Sequence, residues 1–374
     1  MADSPTGVQA QSDAGSGYPR VAGYLLAADA ERFLRACLKT VGADDRSVDD
    51  ASRSLVGASL RGTDSHGVRL LPHYCKALRG GRVQGAPKMT FHRTAVAGGL
   101  LDAGHGLGHT ATYRAVDHAV GIAEDNGIGA VGVTNSSHFG AAGSYALAAA
   151  EAGMIGLVIC NSDAFVLPHN GTKAFHGTNP IAFAAPVPDA RPFLLDMATS
   201  TVPWNRIQQF AASGRSLPPG AAVDAEANET LDPKAAAGLL PLGGLAFGHK
   251  GSGLAAMIDV MCALMTGMPH SARLLPMGGP DMATPRQVSH SVMVMRRDMF
   301  IAADDFDAAM TAYRRDMNAV PAADAGTVLM PGQKEWLAFD ERSRSGIPFT
   351  GDQVAVFEAL AAELAVQAPA FSST

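Results

Sequence analysis

The stretch Arg61–Tyr74, RGTDSHGVRLLPHY, sets a hydroxyl beside an imidazole at Ser65 and His66, directly after a helix-like apolar pattern. An imidazole titrates near neutrality, so at this position it could pass a proton to or from a substrate atom. A second histidine, His138, stands in TNSSHFGAAGSYA (Thr134–Ala146), where a strand end gives way to glycine and a run of small residues. The N–H groups that open such a helix can meet an anion; Ser136 acting as a plain N-cap explains the same pattern equally well. FHGTNPIAF and LLDMATS place Thr178, Asn179, Asp196, Thr199 and Ser200 at the edges of apolar strands, where α/β proteins carry ligands. LGGLAFGHKGSG (Leu242–Gly253) sets glycines around Lys250, which suits close approach to a phosphate with a lysine as counter-charge. GHGLGH (Gly104–His109) lacks the third glycine of the dinucleotide fingerprint and reads as a tight turn. His105 and His109 lie four apart, but no Cys or carboxylate stands close to complete a metal site, so none is expected.

The elements that must hold these groups follow from periodicity. Phe33, Leu34, Cys37, Leu38 and Val41, then Leu55, Val56 and Leu60, recur at helical spacing, predicting a helical unit over 21–88 after a disordered, polar tail at 1–20. That tail has no apolar core of a signal peptide. Strand, glycine turn, helix and strand alternate from residue 89. MIGLVIC, IAFAAPV, FLLDM and SVMVMRRDMFIA read as strands, so 89–302 is expected to form an α/β domain. Within it, 200–248 is rich in Pro, Gly and Ala, and SLPPGAAVDAEANETLDP predicts a long loop arm. GSGLAAMIDVMCALMTGM predicts a buried helix opened by glycines. Residues 303–374 add further helices.

Composition narrows the partners. A formal net charge of -6, with 29 Lys+Arg scattered among 35 Asp+Glu, leaves no basic footprint for nucleic acid. Leu254–Met268 is interrupted by Asp259 and falls short of the ~20 apolar residues that span a bilayer, so no membrane association is expected. Cys37, Cys75, Cys160 and Cys262 are far apart in apolar surroundings, which points to buried thiols in a reducing cytoplasm.

Taken together, DSHGV…LPHY, HFGAAGSYA, GTNPIAF, DMATS, GHKGSGL and PGQ occur in an order that resembles the malate/L-lactate dehydrogenase-like family of NAD(P)-dependent oxidoreductases, from about Leu26 to Phe357. This family is distinct from the Rossmann-type lactate and malate dehydrogenases. The resemblance implies a non-Rossmann α/β fold, with a mixed-sheet cofactor domain, a helical domain made by both termini, and a homodimer with its active site near the interface. It implies that His66 exchanges the proton at the substrate oxygen or nitrogen with Ser65 beside it, and that His138, whose counterpart is the base in ureidoglycolate dehydrogenase-like members, meets the cofactor together with Phe139, Gly140 and Ala141. Ser162, Asp196, Met197, Ala198, Lys250, Pro331, Gly332 and Gln333 resemble further cofactor contacts, and Thr178 a substrate contact.

The implied activity is hydride transfer between nicotinamide and C2 of a small 2-hydroxy or 2-oxo carboxylic acid, of malate, lactate or ureidoglycolate type. NAD is favoured over NADP because no Arg/Lys cluster suited to a 2'-phosphate is visible. The sequence departs from the family where the substrate carboxylate is held. Leu70 stands where many members carry an arginine, four residues after the motif histidine, and Arg69 is one position early. TSTVPWNRI replaces an Arg-Gly run, which leaves Arg69 and Arg206 as the candidate anchors; Asn170 replaces a common glycine. A cyclic imino-acid reductase is the alternative enzyme. A cofactor-binding sensor without catalysis is the alternative of another class; it would bind nucleotide without turning over any 2-oxo acid or cyclic imine.

Overall fold

The computed structural model describes residues 21–323 and 326–372, so the tail expected at 1–20 lies outside the described residues. β1 (Val21–Leu25) leads into α1 (Ala27–Thr40), α2 (Asp45–Leu60) and α3 (Leu71–Arg79). Phe33, Leu34, Cys37 and Leu38 form the buried stripe of α1, as their spacing requires. Asp44 caps α2 by accepting from the Ser47 N–H at 2.7 Å, and Pro72 occupies the first turn of α3. The stretch between α2 and α3 is the Ser-His-Gly turn.

The middle of the chain runs β2 (Thr90–Ala95), β3 (Gly98–Asp102), α4 (Gly108–Asn126), β4 (Ile128–Ser136), α5 (Gly143–Glu151), β5 (Met154–Cys160), β6 (Ile181–Ala185) and β7 (Phe193–Met197). Then come α6 (Trp204–Ala212), the short strands β8 (Ala222–Val223), β9 (Glu229–Thr230) and β10 (Gly238–Leu239), and α7 (Gly244–Asp259). The chain closes with β11 (Val288–Arg296), α8 (Ala303–Asn318), α9 (Gln333–Ser345), β12 (Ile347–Thr350) and α10 (Gly351–Leu364).

Seven strands form one sheet in the order β2-β3-β4-β11-β5-β6-β7. β3 and β4 pair in parallel, across the crossover made by α4, and the other neighbours are antiparallel. A doubly wound dinucleotide fold needs successive parallel crossovers, so this mixed sheet accounts for the missing glycine fingerprint. Successive side chains alternate between faces. Val158 and Cys160 of β5 join the core beneath α4 and α5, while Ile159 packs with Ile258 and Cys262 on the α7 side. A second core joins Leu25–Val83 to Ile347–Leu364, and β1 pairs with β12, so both ends of the chain close one helical cluster.

Several expected boundaries move. β11 starts at Val288 rather than Ser291, because Ser289 and His290 are fully buried polar residues that interrupt the apolar pattern, and it ends at Arg296, where the turn to Asp298 begins. The 200–248 arm is no bare loop: α6 and the β10-β8-β9 sheet enclose a small core of Val166, Ile207, Leu217 and Leu239. The glycines around Lys250 lie inside α7 rather than before it, and Gly251 has no room for a Cβ, which would meet Leu242 N at 2.3 Å. Nor is this helix buried throughout: Phe247 and Met257 are 60% and 39% exposed, and Val260 and Met265 beyond it are 47% and 76% exposed.

Candidate active site

The site starts from the end of α2. Asp64 is gripped by Arg342, with Nη1 and Nη2 donating to its two carboxylate oxygens at 2.8 and 3.0 Å. The Val68 N–H donates to Ser59 Oγ at 3.0 Å, and a Cβ on Gly67 would lie 2.0 Å from that oxygen. Glycine is therefore required after His66 to let the turn fold back on α2. These contacts fix Ser65 and His66, whose Oγ and Nδ1 lie 2.8 Å apart. Across the turn, Asn205 of α6 donates its side-chain N–H to the Ser65 carbonyl at 3.0 Å.

His138 arrives from the other side, between β4 and α5. Its Nδ1 lies 2.7 Å from Tyr74 Oη and accepts the Gly140 N–H at 3.4 Å. An amide N–H can only donate, so Nδ1 is an acceptor, Tyr74 donates to it, and the proton of the neutral ring sits on Nε2. The two imidazoles stack, with centroids 5.6 Å apart and planes 21° from parallel. Burial holds His66 down to about 4 and His138 well below the usual histidine range, with the charge of Arg286 among the lesser causes for His138. Both rings are neutral at pH 7.

They line a cavity of about 270 Å³ with Thr63, Phe139, Gly140, Ala141, Ser162, Thr178, Asp196, Met197, Ala198 and Arg286 among its walls. Ser162 and Thr178 support each other: the Thr178 N–H donates to Ser162 Oγ at 3.0 Å, and the two hydroxyl oxygens are 3.3 Å apart. Asn179 holds the Ser162 N–H at 3.0 Å. Asp196 comes from the end of β7, and its Oδ2 accepts the first N–H of α5, from Gly143, at 2.9 Å. That carboxylate, rather than Ser136, caps the helix, and burial raises its pKa. An anion at this helix start would face a carboxylate already in place. Ser136 is buried in β4 with its hydroxyl unpaired among the described residues.

Other expected residues lie elsewhere. Arg69 donates to the Pro348 carbonyl at 3.0 Å and stands 3.9 Å from Asp64, outside the cavity lining. Arg206 donates to Gln209 at 3.0 Å and lies over the Phe210 ring, also outside the lining. Lys250 is exposed on α7, its Nζ 5.4 Å from the Phe247 centroid. Pro331–Gln333 pack beside β7, where the Pro331 carbonyl accepts from Leu194 at 3.2 Å and Gly332 adopts φ +94°. GHGLGH is a tight turn, with Gly104 and His105 at φ +54° and +60°. Arg286, Tyr74 and Asn205 escaped the reading of the sequence. Tyr74 closes the quoted motif LPHY, a signal that was present, whereas Arg286 sits in an unremarkable TPRQV.

The lining suits a nicotinamide end. Gly140 at φ +73° keeps the α5 approach bare, the flanking Ala141 and Ala142 are small, and Ser162 and Thr178 present hydroxyls.

A family model described as malate/L-lactate dehydrogenase matches residues 26–357. The malate dehydrogenase of Pyrococcus horikoshii is 35% identical over 84% of this chain and 88% of its own length. The NAD(+) ureidoglycolate dehydrogenase of Escherichia coli O157:H7 is 31% identical over 80% of this chain and 84% of its own. A solved structure of the P. horikoshii malate dehydrogenase superposes with a TM-score of 0.84 at 30% identity, covering 94% of this chain and 97% of that one. A matched length that takes in the whole first core cluster, most of the second and the paired histidines leaves one assignment: the chain belongs to the malate/L-lactate dehydrogenase family.

Proposed function

We propose that this chain is an NAD(P)-dependent oxidoreductase that moves a hydride between nicotinamide and C2 of a small 2-hydroxy or 2-oxo carboxylic acid. The observation that carries the reading is the pair of neutral, half-buried imidazoles, each braced at Nδ1 and lining one small cavity with Ser162 and Thr178. Ser162, Thr178, Gly140, Ala141 and the Asp196–Ala198 strand end would hold the nicotinamide end, which supplies the hydride acceptor or donor. In oxidation, His66 takes the hydroxyl proton on Nε2 while Ser65 holds its Nδ1. His138, with its proton on Nε2, donates a hydrogen bond to the substrate oxygen, and Tyr74 fixes that tautomer. Reduction runs the same steps backwards.

NAD is preferred on the lack of a basic 2'-phosphate cluster in the sequence. Buried free thiols at Cys37, Cys75, Cys160 and Cys262 suit a reducing cytoplasm. Exposed Leu245, Phe247, Met257, Val260, Leu264 and Met265 on α7 and the turns after it suit a homodimer face, and Lys250 on the same helix would then reach the partner's site.

The test is oxidation of NADH and NADPH against 2-oxo acids, alone and with ammonia or methylamine, and against preformed cyclic imines. Turnover of the plain 2-oxo acids supports the reading and ranks the cofactors. Turnover of imines alone moves the chain to the imino-acid reductases, and nucleotide binding without turnover in either direction leaves the sensor.

A further inference from the structure

Asp259 ends α7 and is the one charged residue in the apolar run Leu254–Met268. It is 5% exposed and lies on the buried face of the helix, one turn beyond Ala255. A carboxylate in such a place is unfavourable unless donors surround it, and here they do. Oδ1 accepts the Ser271 N–H at 3.0 Å and the Ser271 hydroxyl at 2.8 Å, while Oδ2 lies 3.2 Å from His176 Nδ1. Ser271 and His176 are themselves buried.

Both contacts lead to the cavity. His176 opens the segment 176–179, and its carbonyl accepts the N–H groups of Phe165 and Val166 at 3.0 and 2.8 Å, so the ring contact sets where the segment begins. At the other end, Ser271 Oγ lies 3.1 Å from Asn179 Oδ1, the same oxygen that accepts the Ser162 N–H. Asn179 Nδ2 donates to the Ala255 carbonyl of α7 at 3.0 Å. Asn179 is fully buried at φ +31°, a backbone conformation that persists only where the surroundings hold it. One carboxylate thus grips both ends of the segment. Between them stands Thr178, whose N–H is on Ser162 Oγ, and both residues line the cavity.

We propose that Asp259 is a positioning residue for the nicotinamide end of the site: from outside the cavity lining, through His176, Ser271 and Asn179, it sets the place of the Ser162 and Thr178 hydroxyls. This rests on the oxidoreductase reading above, in which those hydroxyls meet the cofactor. Polar groups fixed in advance bind better than mobile ones, because less has to be ordered when the ligand arrives. His66 and His138 are braced by Ser65 and Tyr74, on other elements. Loosening the 176–179 segment therefore falls on cofactor binding and leaves the imidazoles in place.

The experiment follows NADH binding by nicotinamide fluorescence in the wild type, Asp259→Asn and Ser271→Ala, and again with each change placed in a Ser162→Ala/Thr178→Val background that lacks both hydroxyls. Urea unfolding of every variant runs alongside. Asp259→Asn keeps the shape of the side chain and should weaken NADH binding ~3–10-fold, the size of an ordinary hydrogen bond lost. Ser271→Ala keeps the buried carboxylate and should act in the same direction, so it reads the link even where Asp259→Asn fails to fold. In the background without the hydroxyls both losses should shrink to within ~2-fold, because nothing is left to position. Losses of equal size in the two backgrounds mark a general loosening of the fold and overturn the positioning role. Wild-type NADH affinity in folded Asp259→Asn and Ser271→Ala overturns it too, and leaves the reaction class standing. A wild type that binds neither NADH nor NADPH overturns the oxidoreductase reading and the role of Asp259 with it.

Discussion

At the scale of single residues, the site is governed by what burial does to two imidazoles. Desolvation disfavours the charged ring, so His66 protonates only near pH 4 in the folded protein. kcat/KM reports the protonation of the free enzyme, and a base must be unprotonated. The oxidative kcat/KM should therefore hold from pH 7 down to about pH 5, where an ordinary histidine would already be protonated, while the reductive kcat/KM should rise as pH falls over the same range. A pH-rate profile in each direction checks this, and an oxidative limb centred at about pH 6.5 would mean an unperturbed base. His66→Ala should cut turnover ~10²–10⁴-fold, as loss of a general acid or base does, with cofactor affinity nearly unchanged. Near-normal turnover in that variant would hand the proton to His138, whose Nδ1 is already held by Tyr74.

At the scale of elements, what was legible in the sequence is what local pattern encodes. The strands β5, β6 and β7, the helices α1, α2 and α5, and the turns carrying His66, His138, Thr178 and Asp196 follow from periodicity and glycine placement. Arg286 was not legible, because its acceptor Asp163 is 123 residues away and no repeat or spacing links them. The same holds for the place of β11 in the sheet, between β4 and β5, and for the arm's own small core. Where a turn is fixed by contact, a single methyl group tests it. A Cβ on Gly177 would lie 2.2 Å from Ser162 Oγ and 2.3 Å from the Ser162 carbonyl, both in the cavity wall. Gly177→Ala should lower stability by about 1–3 kcal/mol, the usual cost of overpacking, and reduce activity by displacing Ser162 and Thr178. Urea unfolding with parallel activity measurements reads both; wild-type values in each would show that the turn yields freely.

At the scale of the whole molecule, the buried histidines tie the fold to pH. Burial pushes His66 and His73 to about 4 and His109 and His290 to about 3, and His138 is also held low. Below the unfolded value of 6.5 the unfolded chain binds more protons than the folded one, so stability is full above about pH 7 and is lost as pH falls towards these folded values. Asp50 and Asp196, raised by burial, act in the opposite sense, because the folded chain takes up their protons before the unfolded one as pH falls. His109 isolates the effect. It is fully buried, neither ring nitrogen has a hydrogen-bond partner among the described residues, and the ring packs edge-on against Tyr74 at 4.7 Å. His109→Leu keeps an apolar group of similar bulk and removes one titrating site, so any packing cost appears equally at all pH values. With a folded pKa of about 3, the wild type loses about 2 kcal/mol through this residue between pH 8 and pH 5, and the variant should be spared that loss. Urea melts of both proteins at pH 8 and pH 5 separate the two contributions: a stability difference that shifts by that amount in favour of His109→Leu in acid marks titration, and one that stays the same at both pH values would show that His109 does not titrate on unfolding.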